Sequence, residues 1–207
     1  MKNIWQRIEA AREDCNVLEH PFYLRWSRGE LTREELATYA GQYRHATEAI
    51  ARLSAEAAEA APDAERDELR RHAAEEADHV ALWDDFVEAV GGDAGADANS
   101  QTRDCVSAWT AHDGFLESLV RLYAIESGQP QISRTKREGL AANYGIGGGR
   151  GNAYFRVHEQ LDVEHAEAGR ELIERRLEGA DEDALVGAAE SALRANWRLL
   201  DGVDLAG

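Results

Sequence analysis

Residues 157–169 read VHEQLDVEHAEAG, and their spacing governs what the rest of the chain must build. His158, Asp162 and His165 stand at i, i+4 and i+7. At about 100° per residue, a helix gathers them into an arc of roughly 60°. Leu161, Ala168 and Leu172 lie beside that arc, so the stripe is expected to face a core. Gly169 continues the row and leaves room for another backbone or a ligand. Two imidazoles and a carboxylate in one buried line are costly unless something pairs them. A divalent metal does so by taking neutral imidazole nitrogen and anionic oxygen. The competing reading is a solvated helix face in a highly charged chain.

Three further stretches carry matching chemistry. Residues 72–86, HAAEEADHVALWDDF, contain Glu76 and His79 as Glu-x-x-His, the pair that di-iron helical bundles use, with Leu82, Trp83 and Phe86 forming an apolar side. Glu75, one turn before His79, is the alternative carboxylate. Glu126 ends the mostly apolar run LVRLYAIE at 119–126, either as a helix end in water or as a ligand at the core boundary. Glu48 lies among Arg44, His45, Ala51 and Arg52, a mixed face on which a surface glutamate paired with arginine is the bland alternative. Taken together, four helices offer four carboxylates and three imidazoles, the kind of set that two irons need.

The surrounding chain fits a helical scaffold. It has 207 residues, only three prolines, and Asp and Glu outnumber Lys and Arg 40 to 23 for a net charge of −17. That charge repels phosphate backbones and argues against nucleic-acid binding. Lysine occurs only at Lys2 and Lys136. An acidic, nearly lysine-free surface suits a high-salt cytoplasm, and a halophilic source is one expectation. No apolar run reaches the roughly 18 residues of a membrane span. The first residues, MKNIWQRIEAARED, lack the apolar core of a signal peptide, so a cytoplasmic location is expected. Cys15 and Cys105 fit no metal pattern.

Periodicity and punctuation predict an all-α fold of about seven helices in a single domain over residues 1–207. The helices fall at about 3–17, 32–60, 63–90, 102–112, 114–128, 131–143, 152–179 and 181–200. HPFY at 20–23 is expected to be a turn into a short helical stretch. The capping box Thr32–Glu35, the break at Pro62 and the stop at Gly91 set the main boundaries. The glycine run at 145–151 lacks the Lys-Ser/Thr ending of a phosphate loop and is expected to be a plain connector.

Four blocks resemble the haem-oxygenase-like di-iron oxidases of the TenA/PqqC superfamily, and within them the PqqC-like, CADD-type branch. They are HPFYLRWSRGELTREELATYAGQYRH at 20–45, EEADHVALW at 75–83, LYAIESGQPQIS at 122–133 and YFRVHEQLDVEHAEAGRELI at 154–173. The resemblance runs from about residue 15 to 200, and its most specific parts are His-x3-Asp-x2-His and Tyr-x-x-Glu-Ser. It implies a seven-helix, haem-oxygenase-like bundle. The metal ligands it implies are His79, Glu126, His158, Asp162 and His165, with Glu76 favoured over Glu75 and Glu48 the least certain. CADD-type members have a longer spacing between this glutamate and histidine than the chain shows here, and they lack the counterpart of Glu48. The implied cofactor is two iron ions, with manganese as the other candidate, and dioxygen as co-substrate.

Tyr23 and Lys136 match a tyrosine and a lysine of CADD-type para-aminobenzoate synthases. In those proteins the tyrosine is implied as the source of the ring and the lysine as the amino donor. Tyr39 matches a family tyrosine near the metal site. The implied activity is oxidation of a small molecule or of the protein's own side chains, and the expected assembly is a homodimer. Two readings compete. One is a cofactorless TenA- or PqqC-like enzyme of the same fold, which would leave three metal-spaced histidines unexplained. The other is a non-enzymatic helical protein that docks a partner on its acidic face.

Overall fold

The computed structural model describes residues 3–204, and among them every regular element is helical. The helices are α1 (Ile4–Asp14), α2 (Pro21–Arg28), α3 (Arg33–Ala60), α4 (Asp63–Val90), α5 (Ser100–Trp109), α6 (Phe115–Glu126), α7 (Gln129–Asn143), α8 (Ala153–Glu174) and α9 (Glu182–Asp204). Short 3-10 turns cover Val17–Glu19 and Arg150–Asn152. No described helix is long and apolar enough to cross a membrane.

The boundaries follow local chemistry. Thr32 accepts from the Glu35 amide while the Glu35 carboxylate accepts from the Thr32 amide, so the capping box is complete. Pro62 separates α3 from α4, and α4 stops at Gly91, which takes the left-handed φ of 74°. HPFY differs from expectation. Pro21 is the first residue of α2, and His20 caps it, with Nδ1 accepting from the Phe22 amide at 3.1 Å. The described residues form nine helices rather than about seven, because each of the eight periodic stretches stands as a separate helix and the short stretch after His20 adds α2.

Two apolar cores form. One gathers Trp26, Tyr39, Trp83, Phe86, Trp109 and Phe155, and the other gathers Ile4, Ile8, Leu69, Val120, Leu172 and Ile173. The three tryptophans are fully buried, and each indole N–H donates to a carbonyl, on Lys136 (3.1 Å), Ala40 (2.8 Å) and Ala192 (2.9 Å). Each such burial contributes about 1.5–3 kcal/mol without leaving a polar atom unpaired. Gly139 lets α7 approach α2, since a Cβ there would lie 2.7 Å from Trp26 Cδ1. That contact holds the backbone at Lys136 against the core.

The helices α4 and α8 run antiparallel between these cores. Leu69 and Trp83 mark the two ends on α4, and Leu172 and Phe155 mark the same two ends on α8. The polar rows 72–79 and 158–165 therefore lie opposite one another, in the interval between the cores.

Candidate metal centre

From α4, His72, Glu76 and His79 project at i, i+4 and i+7, and α8 presents His158, Asp162 and His165 at the same spacing. The His72 and His165 rings lie 4.1 Å apart and the His79 and His158 rings 4.4 Å. Glu126, the last residue of α6, enters beside them.

Two groups of donor atoms result, each with all its members within 4.8 Å of one another. One comprises His72, Glu76, Glu126 and His165, and the other Glu76, His79 and His158. Glu76 belongs to both, with Oε1 3.1 Å from His79 Nδ1 and Oε2 3.9 Å from His158 Nε2. Asp162 is fully buried, and its Oδ1 lies 3.8 Å from His165 Nδ1.

The hydrogen-bond pattern fits a cation. His72 Nε2, Glu126 Oε1, His158 Nε2, His165 Nδ1 and both carboxylate oxygens of Asp162 are buried without a hydrogen-bond partner. Buried polar groups left unpaired in such numbers are rare and costly, and here all belong to nitrogen and oxygen donors of a metal-ligating kind. His158 is held for this purpose, since Nδ1 donates to the Tyr154 carbonyl at 2.9 Å and leaves Nε2 free.

Charge is concentrated here. Burial raises the Asp162 carboxyl far above its ordinary range, and the Glu126 and Glu76 carboxylates add to the effect. Burial acts in the same direction on Glu76, but the His158 and His79 imidazoles outweigh it and hold that carboxyl well below the usual range. For His72, burial favours the neutral ring, yet Glu126, Glu76 and Glu75 prevail and push its pKa up to about 9.

The structure brings together six of the seven ligands expected from sequence: Glu76, His79, Glu126, His158, Asp162 and His165. It does not bring in Glu48. That carboxylate is half exposed and pairs with Arg44 at 2.7 Å, because its face of α3 turns outward. The buried neighbour is Thr47, whose hydroxyl donates to the Tyr43 carbonyl at 3.3 Å. Sequence reasoning missed His72. Its signal was the seven-residue separation from His79, the same as that of His158 from His165. The set is thus three carboxylates and four imidazoles. Glu75 stands outside it, with Oε2 accepting from His165 Nε2 at 3.0 Å.

A second polar feature lies deeper in the bundle. Lys136 Nζ donates to Tyr39 Oη at 2.7 Å, and Tyr39 Oη lies 2.9 Å from Tyr23 Oη. All three side chains are buried. The ammonium position is 5.0 Å from the Tyr23 ring centroid and 4.7 Å from that of Tyr43, and among the described residues no carboxylate pairs with it. Burial pushes the Lys136 pKa down to about 7. The Tyr39, Trp83, Tyr154 and His158 rings follow one another at 5.9, 4.7 and 3.9 Å, linking this pocket to the metal ligands. On the other side of the ligands, a cleft of about 280 Å³ is lined by His72, Glu126 and His165 among leucines 69, 119, 122 and 161. Gly169 also lines it, and a Cβ there would meet nothing.

Comparison with known proteins shows the family and the fold. A family described as "Iron-containing redox enzyme" matches residues 35–197. A 4-aminobenzoate synthase of Nitrosomonas europaea is 31% identical, over 96% of this chain and 89% of that protein. One from Chlamydia muridarum is 29% identical, with the same coverage of 96% and 89%. Among solved structures, a Shewanella denitrificans domain with a haem-oxygenase-like fold superposes with a TM-score of 0.82 at 19% identity, covering 98% of this chain and 91% of that one. A TenA homologue of P. horikoshii gives 0.81 at 15%, covering 99% of both. The last two likenesses concern the fold alone.

Proposed function

The chain belongs to the iron-containing redox enzyme family, and from that premise we propose that it is a di-iron oxidase that consumes dioxygen to make 4-aminobenzoate from its own Tyr23, with the amino nitrogen drawn from Lys136. The observation that carries this reading is the sealed hydrogen-bonded chain Lys136–Tyr39–Tyr23. The names of the relatives near 30% identity support it.

The residues suit the reaction. His72, Glu126 and His165 would hold one iron, His79 and His158 the other, with Glu76 shared and Asp162 facing the centre. Bound there, the two irons would couple reduction of dioxygen to oxidation of a nearby organic group. The protein contributes orientation, dryness and proton placement. A lysine with a pKa of about 7 is a free amine in about half of the molecules at neutral pH, and an amine attacks only through its unprotonated nitrogen. Tyr39 Oη, bonded to both Lys136 and Tyr23, can pass a proton between the amine and the phenol.

The bonds that change are defined. The Tyr23 Cα–Cβ bond breaks, Cα takes a hydrogen and is left as glycine, and Cβ is oxidised to the carboxylate. The phenolic C–O bond gives way to a C–N bond, and the Nζ–Cε bond of Lys136 gives way to a C–O bond, leaving an alcohol on that side chain. The net change is a four-electron oxidation, which one dioxygen accepts.

The test is anaerobic loading with Fe(II), admission of dioxygen, and mass spectrometry of both the chain and the released small molecules. The expected result is 4-aminobenzoate, with its nitrogen labelled when the chain carries 15N-lysine. The chain should then lack the Tyr23 side chain. Oxygen consumption with Tyr23 and Lys136 intact would overturn self-processing. It would favour a second reading, in which an external small molecule enters the cleft beside His72 and His165.

A further inference from the structure

We infer that Glu75 is a positioning residue for one of the two metal positions, fixing which nitrogen of His165 faces the cluster; the inference rests on the metal-binding reading above. Glu75 and Glu76 are adjacent on α4, so their side chains leave the helix about 100° apart. Glu76 points inward and is 2% exposed, whereas the Glu75 side chain stays half exposed at the mouth of the cleft. From there Glu75 Oε2 meets His165 Nε2 at 3.0 Å.

That contact decides the tautomer. An exposed carboxylate accepts and does not donate, so Nε2 carries the hydrogen and the lone pair lies on Nδ1. His165 Nδ1 is the buried, partnerless nitrogen, 3.8 Å from Asp162 Oδ1. His158 is fixed the other way round, donating from Nδ1 to the Tyr154 carbonyl and presenting Nε2. His158 is held by backbone inside the core, while His165 is held by a side chain at the cleft. Without Glu75, His165 Nε2 would have water as its partner, and the ring could rotate or change tautomer at little cost. Glu75 therefore acts on the position built from His72, Glu126 and His165, and leaves that of His79 and His158 untouched.

Competition against a ferrous chelator, under anaerobic conditions, resolves the two positions in the wild type, Glu75→Ala and Glu75→Gln chains. The visible absorption of Co(II)-loaded samples reports the ligand field. Glu75→Ala is expected to keep one metal at wild-type affinity, to bind the other about 10–100-fold more weakly, and to change the Co(II) spectrum. Glu75→Gln, whose amide oxygen accepts the same N–H, should recover most of the loss. Wild-type affinity at both positions of Glu75→Ala overturns the inference alone. So does an equal loss at both positions that Gln does not rescue. A wild-type chain that takes up no metal overturns the inference together with the reading beneath it.

Discussion

Nε2 of His72 lies 2.9 Å from Oε1 of Glu126, and both atoms are buried without a hydrogen-bond alignment. Two donors aimed at a common space are what a cation would separate and satisfy. Before a cation arrives, a proton does part of that work. The carboxylates of Glu126, Glu76 and Glu75 overcome burial and push the His72 pKa up to about 9.

Metal uptake should therefore release the His72 proton. Below pH 9 the metal competes with that proton, so apparent affinity should climb by about tenfold per pH unit from His72 alone and level off above about 9. Calorimetric titrations in buffers of differing ionisation enthalpy would count the protons released. His72→Ala should bind less tightly and lose that part of the slope. An affinity flat from neutral pH to about 9 would remove His72 from the ligand set.

The limits of sequence reading are informative at this site. The row on α8 was legible because a 3.6-residue period places i, i+4 and i+7 on one face, and Glu76 with His79 on α4 because i and i+3 share a face too. The main boundaries were legible because Thr32, Pro62 and Gly91 act locally. His72 was not, because its role depends on the antiparallel register that sets it against His165, a contact 93 residues away in sequence. Pro21 as a helix start was hidden by His20, which is not among the usual capping residues yet serves as one here. Lys136 stood out by its rarity and by its match to a lysine of the family it resembles. Its burial comes from Gly139 admitting α7 against Trp26, which no local pattern announces.

Glu48 tests the negative side of the assignment. Its carboxylate pairs with Arg44 on the surface of α3 and is a member of neither donor group. Glu48→Ala should leave the metal stoichiometry unchanged and shift stability by less than about 1 kcal/mol, as expected for an exposed i, i+4 pair. Loss of one metal in this variant, measured by elemental analysis, would return Glu48 to the ligands.

Asp162 should show opposite effects on folding and on binding. It is buried, both oxygens lack partners, and burial with the nearby Glu126 and Glu76 carboxylates raises its pKa well above normal. Asp162→Asn removes the charge that the metal-free fold must bury. The metal-free variant should therefore melt higher than wild type, by an amount on the order of 1–3 kcal/mol at neutral pH. The rise in melting temperature that Fe(II) gives the wild type should shrink or vanish. Melting curves with and without metal decide the matter. A variant that is destabilised without metal yet still stabilised by it would show that Asp162 is structural.

Lys136 offers the same test for the organic half of the chemistry, with a pH dependence of definite sign. Its pKa is 10.5 in an unperturbed chain and falls to about 7 in the fold because of burial. Between those values the unfolded chain holds a proton that the folded chain does not, so stability rises with pH across that window. Below about 7 both states are protonated, and the full cost of burying the ammonium is incurred. Lys136→Met keeps the length of the side chain and removes the charge. It should stabilise the fold most at and below about pH 7, with the advantage shrinking steadily towards pH 10.5. Urea denaturation of both chains at several pH values measures that difference. The Tyr23–Tyr39 hydrogen bond survives the substitution, and both metals should still bind, yet no 4-aminobenzoate should form. A pH-independent difference would mean that Lys136 is already paired or solvated in the fold. The free amine on which the proposed nitrogen transfer depends would then not exist.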